Sequence, residues 1–376
     1  MEPEGIHQTG DCSTANRITT PSVRSLPSMR KLKRALRLFV ALTLIGLVFV
    51  MYRASFAASL AGLRSFQFPY LLLAGALMVF DWVASGARIH VFTSRIQPGV
   101  SYRACVRANL ANIFLGGMTP SQTGGGPAQI YVLYKEGMPL LDAVVVSFLG
   151  GFLGTAMFLL LAGLFATVFF DPVSVDPRLG YAIRASIAVF GAVVLLAVIG
   201  LVDPRPLQRG VRWLCARVPP LGRRLERRGD DVAVVNLTER YHLMMRYFLS
   251  RGKRALISGF VLTCFIYLNK FAIAWVVLKG LGVDARFWEV MYAQLVLFLF
   301  FYFAPSPGAA GFAEISAPAV MRSIIPPGYE GAFVLLWRLF TLFLGLVVGA
   351  LITVRTIYRE RVSEPGSAID ISNTTR

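Results

Sequence analysis

Five charged side chains lie within long apolar stretches of this sequence or at their edges, and they are the first candidates for chemistry. They are Asp81, Arg88, Lys270, Glu314 and Arg338. A charge in a water-poor environment is costly, so such residues usually face a cavity, bind a charged ligand or pair with each other. The sequence therefore predicts that some of them bind or neutralise a charged substrate.

The five charges do not support a single interpretation. Asp81 and Lys270 lie near the middle of two apolar stretches, so a buried ion pair and a substrate role both fit. Arg88 lies near the end of its stretch, from which a long side chain can reach the polar surface. Glu314 lies just past a Pro/Gly-rich segment, and Arg338 lies in the last apolar stretch. For these two the sequence favours a functional role, with a fold-locking ion pair as the alternative.

Residues 116–137 read GGMTPSQTGGGPAQIYVLYKEG and separate apolar stretches with glycine and proline. Non-helical backbone at membrane depth must line a cavity or be buried in protein. Glycines let backbone approach a ligand closely and present N–H groups to an anion such as phosphate, beside the positive end of the following helix. Close helix packing is the alternative use of small residues. The predicted substrate-binding residues of this segment and a second one are Thr119, Pro120, Gly124, Gly125, Gly126, Gln129, Pro305, Pro307, Gly308, Gly311, Glu314 and Arg338.

The composition predicts that these residues are positioned by an all-α polytopic membrane protein. The chain has 376 residues, of which 56% are hydrophobic and 15% charged, and its mean hydropathy is +0.62. Apolar windows predict about six long spans, near residues 38–52, 68–92, 140–170, 181–202, 255–278 and 333–354. The first span also has the length of a signal-peptide core, although the polar segment before it is unusually long for one.

The net charge of +18 fits a membrane protein better than a nucleic-acid-binding one, because Lys and Arg cluster between the apolar stretches. Segment 203–254 holds thirteen Lys/Arg and five acidic residues. Its apolar stripe at 207–225 predicts an interfacial helix, in a plain basic loop or against anionic lipid head groups.

We predict a disordered basic cytoplasmic tail (1–34), a first membrane repeat (35–202), a basic cytoplasmic loop (203–254), the rest of the second repeat (255–357) and a cytoplasmic tail (358–376).

An internal repeat is visible at an offset of 185 residues. Pro120 then aligns with Pro305 and Ser121 with Ser306, and each Pro/Gly break lies between two weak apolar halves, with strong spans before and after. We therefore predict two repeats, each with a broken re-entrant hairpin. The positive-inside rule gives the two hairpins opposite orientations, as in transporters with inverted repeats. Ten full spans are the alternative.

Several chemistries have no sequence support. Four cysteines and three histidines are scattered without the spacing of a zinc site or a disulfide framework. The sequence contains no Gly-x-Ser-x-Gly, no phosphate-binding loop and no dinucleotide fingerprint. We therefore predict no metal, no cofactor, no catalytic residues and no ATP-driven step.

Segments TPSQTGGGPAQ at 119–129 and PSPGAAGFAE at 305–314, followed by Arg338, resemble the flippase-like transmembrane part of lysylphosphatidylglycerol synthases (multiple peptide resistance factor-like proteins). The resemblance covers about residues 35–355 and implies lipid translocation. Many relatives carry Glu after the paired glycines and a basic residue three positions later, where this chain has Gly126 and Gln129. Only 15 residues follow Arg361, so we expect a stand-alone relative without the aminoacyl-transferase domain and without lysyltransferase activity.

The sequence as a whole predicts an inner-membrane, multi-pass protein with both termini in the cytoplasm. We expect it to translocate, or help translocate, a polar phospholipid between leaflets through a groove between the repeats. Its expected partners are membrane lipids, anionic or aminoacylated, and not nucleic acid; a homo-oligomer and a lipid-synthase partner are both left open. The alternatives are a secondary transporter of a small anionic solute, and an accessory protein or transferase of envelope lipid or glycolipid synthesis.

Overall fold

The computed structural model describes residues 56–169, 177–203, 230–302 and 304–363, with a few single positions elsewhere. Within these ranges the chain is helical and forms no β-strand. The predicted tail at 1–34, nearly all of the interfacial helix at 207–225 and most of the predicted span at 38–52 lie outside the described residues. The same is true of most of the tail at 358–376.

Thirteen α-helices and two π-helical segments make up the described part of the chain. In chain order the helices are α1 Phe56–Arg64, α2 Phe68–Ile96, α3 Tyr102–Gly117, α4 Gly125–Lys135, α5 Leu140–Ser147, α6 Gly154–Phe169, α7 Pro177–Val202, α8 Asp230–Ser250, α9 Lys253–Gly280, α10 Phe287–Phe301, α11 Phe312–Val320, α12 Glu330–Arg338 and α13 Leu344–Ser363. The π-helical segment Phe148–Leu153 joins α5 to α6, and a second one, Leu339–Phe343, joins α12 to α13.

Four of the predicted spans are confirmed as helices long and apolar enough to cross a membrane. They run over Phe68–Ile96, Leu140–Phe165, Lys253–Gly280 and Glu330–Arg355. The predicted span at 181–202 is helical, but its apolar part is shorter, Arg184–Gly200. The chain is therefore an all-helical membrane protein.

Four shorter helices form two hairpins. Helices α3 and α4 have 16 and 11 residues, and α10 and α11 have 15 and 9. At 1.5 Å per residue these helices are about 13–24 Å long, less than the hydrocarbon thickness of about 30 Å. The side chain of Ser101 caps α3 by accepting a hydrogen bond from the Ala104 N–H at 3.2 Å. We name α3 and α4 the first hairpin, and α10 and α11 the second.

Close helix packing positions the first hairpin against the last span. Helix α3 lies along α13, and a Cβ on Gly117 would lie 2.5 Å from the Leu346 side chain. A Cβ on Gly345 would approach Ile113 to 3.1 Å. Helix α2 packs along α9, and each of these pairs crosses between the two predicted repeats. The described residues form two apolar cores, one mainly from residues 267–340 and one mainly from residues 89–149, and each includes residues from the other half.

Candidate functional site

The two chain breaks, residues 118–124 in the first hairpin and 304–311 in the second, contact each other. Pro120 lies opposite Pro307 in an isolated antiparallel β-bridge. The N–H of Ser121 donates to the Ala304 carbonyl at 3.3 Å, and the Ser121 hydroxyl donates to the same oxygen at 3.2 Å. Most of the predicted binding segments are thus brought to one place by backbone contacts.

Both breaks turn through a pair of residues with left-handed backbone. Ser121 and Gln122 have φ values of 49° and 56°, and Gly308 and Ala309 both have 54°. Each pair directly follows a bridging proline, at an offset of 187 residues (307 − 120). The sequence alignment at 185 placed Pro120 on Pro305 instead. It missed the backbone register because residues 305–307 read PSP, so either proline can be aligned.

The first break is held by its threonine and by close-packed glycines. Thr119 Oγ1 accepts the Gly124 N–H at 2.7 Å and donates to the Leu115 carbonyl at 2.9 Å. A Cβ on Gly125 would lie 2.5 Å from Asn112 Oδ1, whereas one on Gly126 would meet nothing within 4 Å. Gly124 and Gly125 therefore serve close packing, and Gly126 borders open space.

Gln129 connects three helices next to the first break. Its side chain is 4% exposed, accepts from Asn112 Nδ2 at 3.0 Å and donates to Ser147 Oγ at 3.0 Å. Arg107 and Glu136 form an ion pair near the other end of the hairpin. The residue Gln129, at which the family resemblance implied a basic side chain, is thus a neutral polar link between helices.

The second break is held by Arg338. Its Nε donates to Glu314 Oε1 at 3.0 Å, and its two other nitrogens donate to the carbonyls of Gly308 and Ala309, each at 3.1 Å. Glu314 and Arg338 are only 1% and 5% exposed, and the guanidinium lies over the Trp337 ring. The two predicted charges therefore meet as a buried pair that fixes the left-handed backbone.

Asp81 and Lys270 also meet, with 3.6 Å between Oδ2 and Nζ, and join α2 to α9. Arg88 lies two turns further along α2, and its guanidinium donates to Thr263 Oγ1 on α9 at 3.4 Å. Within the described residues, neither Arg88 Nε nor Asp81 Oδ1 has a hydrogen-bond partner.

Tyrosine hydroxyls that the sequence analysis did not select lie near this cationic group. Tyr267 and Tyr302 share a hydrogen bond of 2.7 Å between their hydroxyls, and Tyr267 donates to Thr155 at 3.3 Å. Both tyrosines lie within electrostatic range of Arg88. A sequence signal existed, because Thr263, Tyr267 and Lys270 recur at spacings of four and three, which place them on one helix face.

The described residues hold no group of three or more His, Cys, Asp or Glu side chains placed to bind a metal. The polar groups of the two breaks are mostly backbone carbonyls and N–H groups, amides and hydroxyls. Such groups can bind or orient a polar ligand by hydrogen bonds.

Two comparisons with known proteins match long stretches of this chain. The family described as "Lysylphosphatidylglycerol synthase TM region" matches residues 34–349. The chain is also similar to a UPF0104 membrane protein from Archaeoglobus fulgidus, with 23% identity over 292 residues that cover 75% of this chain and 84% of the relative. The family match takes in both breaks and all five intramembrane charges.

Proposed function

We propose that this chain, which belongs to the family of the lysylphosphatidylglycerol synthase TM region, translocates a polar phospholipid between leaflets, or assists its translocation. The observation that carries the proposal is the contact between the two breaks, where Pro120 lies opposite Pro307. The lipid head group passes between these breaks, while the acyl chains stay in the apolar surroundings.

Inverted repeats form part of the proposal, and the order of the elements supports them. A long helix, two short helices around a break and a span with a π-helical segment occur in both halves, first in α2–α6 and again in α9–α13. The antiparallel bridge pairs Pro120 with its own counterpart, as a two-fold axis between the breaks requires. A two-fold axis in the membrane plane relates the halves of many transporters.

Re-entrant hairpins follow from the same geometry. The helices of each hairpin are shorter than the membrane is thick, so we place the breaks near the midplane and the hairpins on opposite faces. The three arginines of residues 95–107 support a cytoplasmic base for the first hairpin, and with it cytoplasmic termini. The second hairpin then enters from outside, in the cytoplasmic membrane.

The chemistry of the breaks favours movement of a lipid over its modification. Arg338 and Glu314 neutralise each other and hold the second break, so opening this pair would free the carbonyls of Gly308 and Ala309 for a head group. Gly126 leaves open space beside the first break. Transport is downhill or coupled to an ion gradient, and we propose no transferase activity for this chain.

A lipid translocation assay tests the proposal. The purified chain is reconstituted in vesicles with fluorescent phosphatidylglycerol, phosphatidylethanolamine or aminoacylated phosphatidylglycerol, and outer-leaflet dye is destroyed with dithionite. We expect less protected dye than in protein-free vesicles for at least one head group. Unchanged protection for every head group contradicts translocation by this chain alone. Uptake of a small anion, or a chemically altered lipid, would support the transporter or transferase alternatives instead.

A further inference from the structure

The geometry points to a binding site for an anionic phospholipid between α2, α6 and α9, in which an apolar cavity holds part of an acyl chain and Arg88 binds the phosphate. This inference rests on the proposed function and names its ligand site. It differs from the sequence prediction, which placed the phosphate on the backbone of the breaks.

The cavity has a volume of about 230 Å³, and its walls are almost wholly apolar. It lies between α2, the first π-helical segment, α6, α7, α8 and α9, and its lining includes Phe92, Leu153, Met157, Val198, Met245 and Gly259. An apolar cavity of about 150 Å³ stays dry and binds a benzene-sized hydrocarbon. The present cavity therefore suits a segment of hydrocarbon chain better than a polar solute.

Glycines bring the walls of this cavity close together. A Cβ on Gly259 would lie 2.5 Å from the Phe92 ring, and one on Gly150 would lie 2.9 Å from the same ring. Gly150 belongs to the π-helical segment, a feature that is frequent at functional sites. The cavity is therefore shaped by backbone and by one aromatic ring between two glycines.

The polar end of the site adjoins the cavity. Gly154 lines the cavity, and a Cβ on it would lie 3.2 Å from Thr263 Oγ1, the atom that accepts the hydrogen bond from Arg88. Arg88 also lies one turn before the cavity residue Phe92 on α2, so the guanidinium reaches the cavity edge through Thr263. A head group and an acyl chain of one lipid can thus be bound together.

The charge of this cluster favours an anion. Lys270 pairs with Asp81, which leaves Arg88 without an acidic partner within salt-bridge distance among the described residues. The titratable groups near Arg88 are Asp81 and the hydroxyls of Tyr267 and Tyr302, so the two cations Arg88 and Lys270 face one acid. A guanidinium binds phosphate through two parallel hydrogen bonds, and its Nε has no partner here. A phosphate would supply the missing negative charge.

The site also connects to the proposed path. Tyr302 is the C-cap residue of α10, just before the second break. Its hydroxyl contacts the Tyr267 hydroxyl on α9. A free phosphate would leave the apolar cavity near Arg88 unfilled, whereas a lipid tail would fill it. We therefore assign the site to a phospholipid.

Photo-crosslinking of the full chain in detergent micelles tests the site. The probe is phosphatidylglycerol with a photoreactive group on one acyl chain, and the same chain on phosphatidylcholine is the charge control. We expect cross-links on cavity residues such as Met157, Val198 and Leu153. Arg88→Gln should lower phosphatidylglycerol capture about tenfold, the loss of one charge-assisted contact, and should lower phosphatidylcholine capture less, because the choline cation already offsets that phosphate. Arg254→Gln, an exposed arginine on α9, is the matched control.

Two further variants and a soluble competitor complete the test. Val198→Trp fills the cavity and should lower capture of both lipids, and Thr263→Val repeats the polar test if Arg88→Gln does not fold. Glycerol phosphate, which has no acyl chain, should not compete; equal competition would indicate a free-anion site and overturn the inference. Cross-links elsewhere, or capture unaffected by Arg88→Gln and Thr263→Val, would also overturn it. Capture at the cavity without translocation would instead contradict the proposed function and leave the site standing.

Discussion

Arg338 and Glu314 lie on different helices, and the Arg338 Nε is 3.0 Å from Glu314 Oε1 in the interior of the protein. The same guanidinium donates to the carbonyls of Gly308 and Ala309, both of which have left-handed backbone. One side chain thus neutralises a buried acid and holds the turn of the second break. The pair therefore holds the second break in the conformation that the structure shows.

The first prediction concerns the coupling of this pair. Arg338→Met should lower the free energy of unfolding by about 3–5 kcal/mol, because it leaves a buried carboxylate without its partner. The double variant Glu314→Gln/Arg338→Met should be destabilised by less than the sum of the two single variants, by about 1–3 kcal/mol. Unfolding in mixed micelles measures these differences, and Arg322→Met, an exposed arginine, is the control.

Additive effects of the two substitutions would contradict a coupled pair. A Glu314→Gln variant with wild-type stability but no translocation would instead assign the carboxylate to the substrate.

The second prediction separates two neighbouring glycines. Gly125→Ala should destabilise the protein strongly, since the new Cβ would lie 2.5 Å from Asn112 Oδ1 and 2.9 Å from the Asn112 carbonyl. Gly126→Ala should change stability by less than about 0.5 kcal/mol. Thermal aggregation of the two purified variants compares them directly. Equal loss in both variants would show that the packing at Gly125 is not specific.

The third prediction concerns the polar link at Gln129. Gln129→Met keeps the approximate volume but leaves the Asn112 amide and the Ser147 hydroxyl without their partner, at a cost of about 1–3 kcal/mol. The combined variant with Asn112→Leu and Ser147→Ala should recover much of this stability, because all the buried polar groups are then removed. No recovery in the combined variant would indicate that shape, and not hydrogen bonding, sets the cost.

The fourth prediction concerns the attachment of α8 to α5. Arg240 donates from Nε and from Nη2 to the two carboxylate oxygens of Asp142, at 2.6 and 2.9 Å. This hydrogen bonding raises the pKa of the Arg240 guanidinium. Asp142→Asn should lower stability by about 1–3 kcal/mol, because a bidentate charged contact becomes a neutral one. Glu239→Gln, an exposed acid beside Arg240, should have little effect in the same thermal assay. Similar loss in both would argue against this anchor.

The short helices could be predicted from the sequence, because proline and glycine mark where they stop. The weak apolar halves predicted beside the breaks are helical: Tyr102–Gly117 ends before the first break, and Phe312–Val320 follows the second. Apolar length likewise placed the four long spans to within a few residues. These features depend on local sequence, so local sequence was sufficient.

The contacts between helices could not be predicted, because they depend on tertiary packing. The sequence left a functional role and an ion pair open for Glu314 and Arg338, and the rotation of α12 against α11 brings the two side chains together. Arg88 was expected near the polar surface, whereas its guanidinium contacts Thr263 on α9. The π-helical segments also have no local sequence signal, since they form where the neighbouring helices fix an extra residue.

A reversible tether across the two breaks tests the central claim most directly. Paired residues of an antiparallel bridge have Cα atoms about 4.5–5.5 Å apart, within the range of a disulfide. We would introduce Pro120→Cys and Pro307→Cys after replacing the native cysteines, and assay translocation before and after oxidation. The account predicts that the cross-linked protein stops translocating lipid and that reductant restores the translocation rate. In the single variants the oxidant should leave the translocation rate unchanged. Translocation at an unchanged rate in the fully cross-linked protein would contradict passage of the lipid between the two breaks.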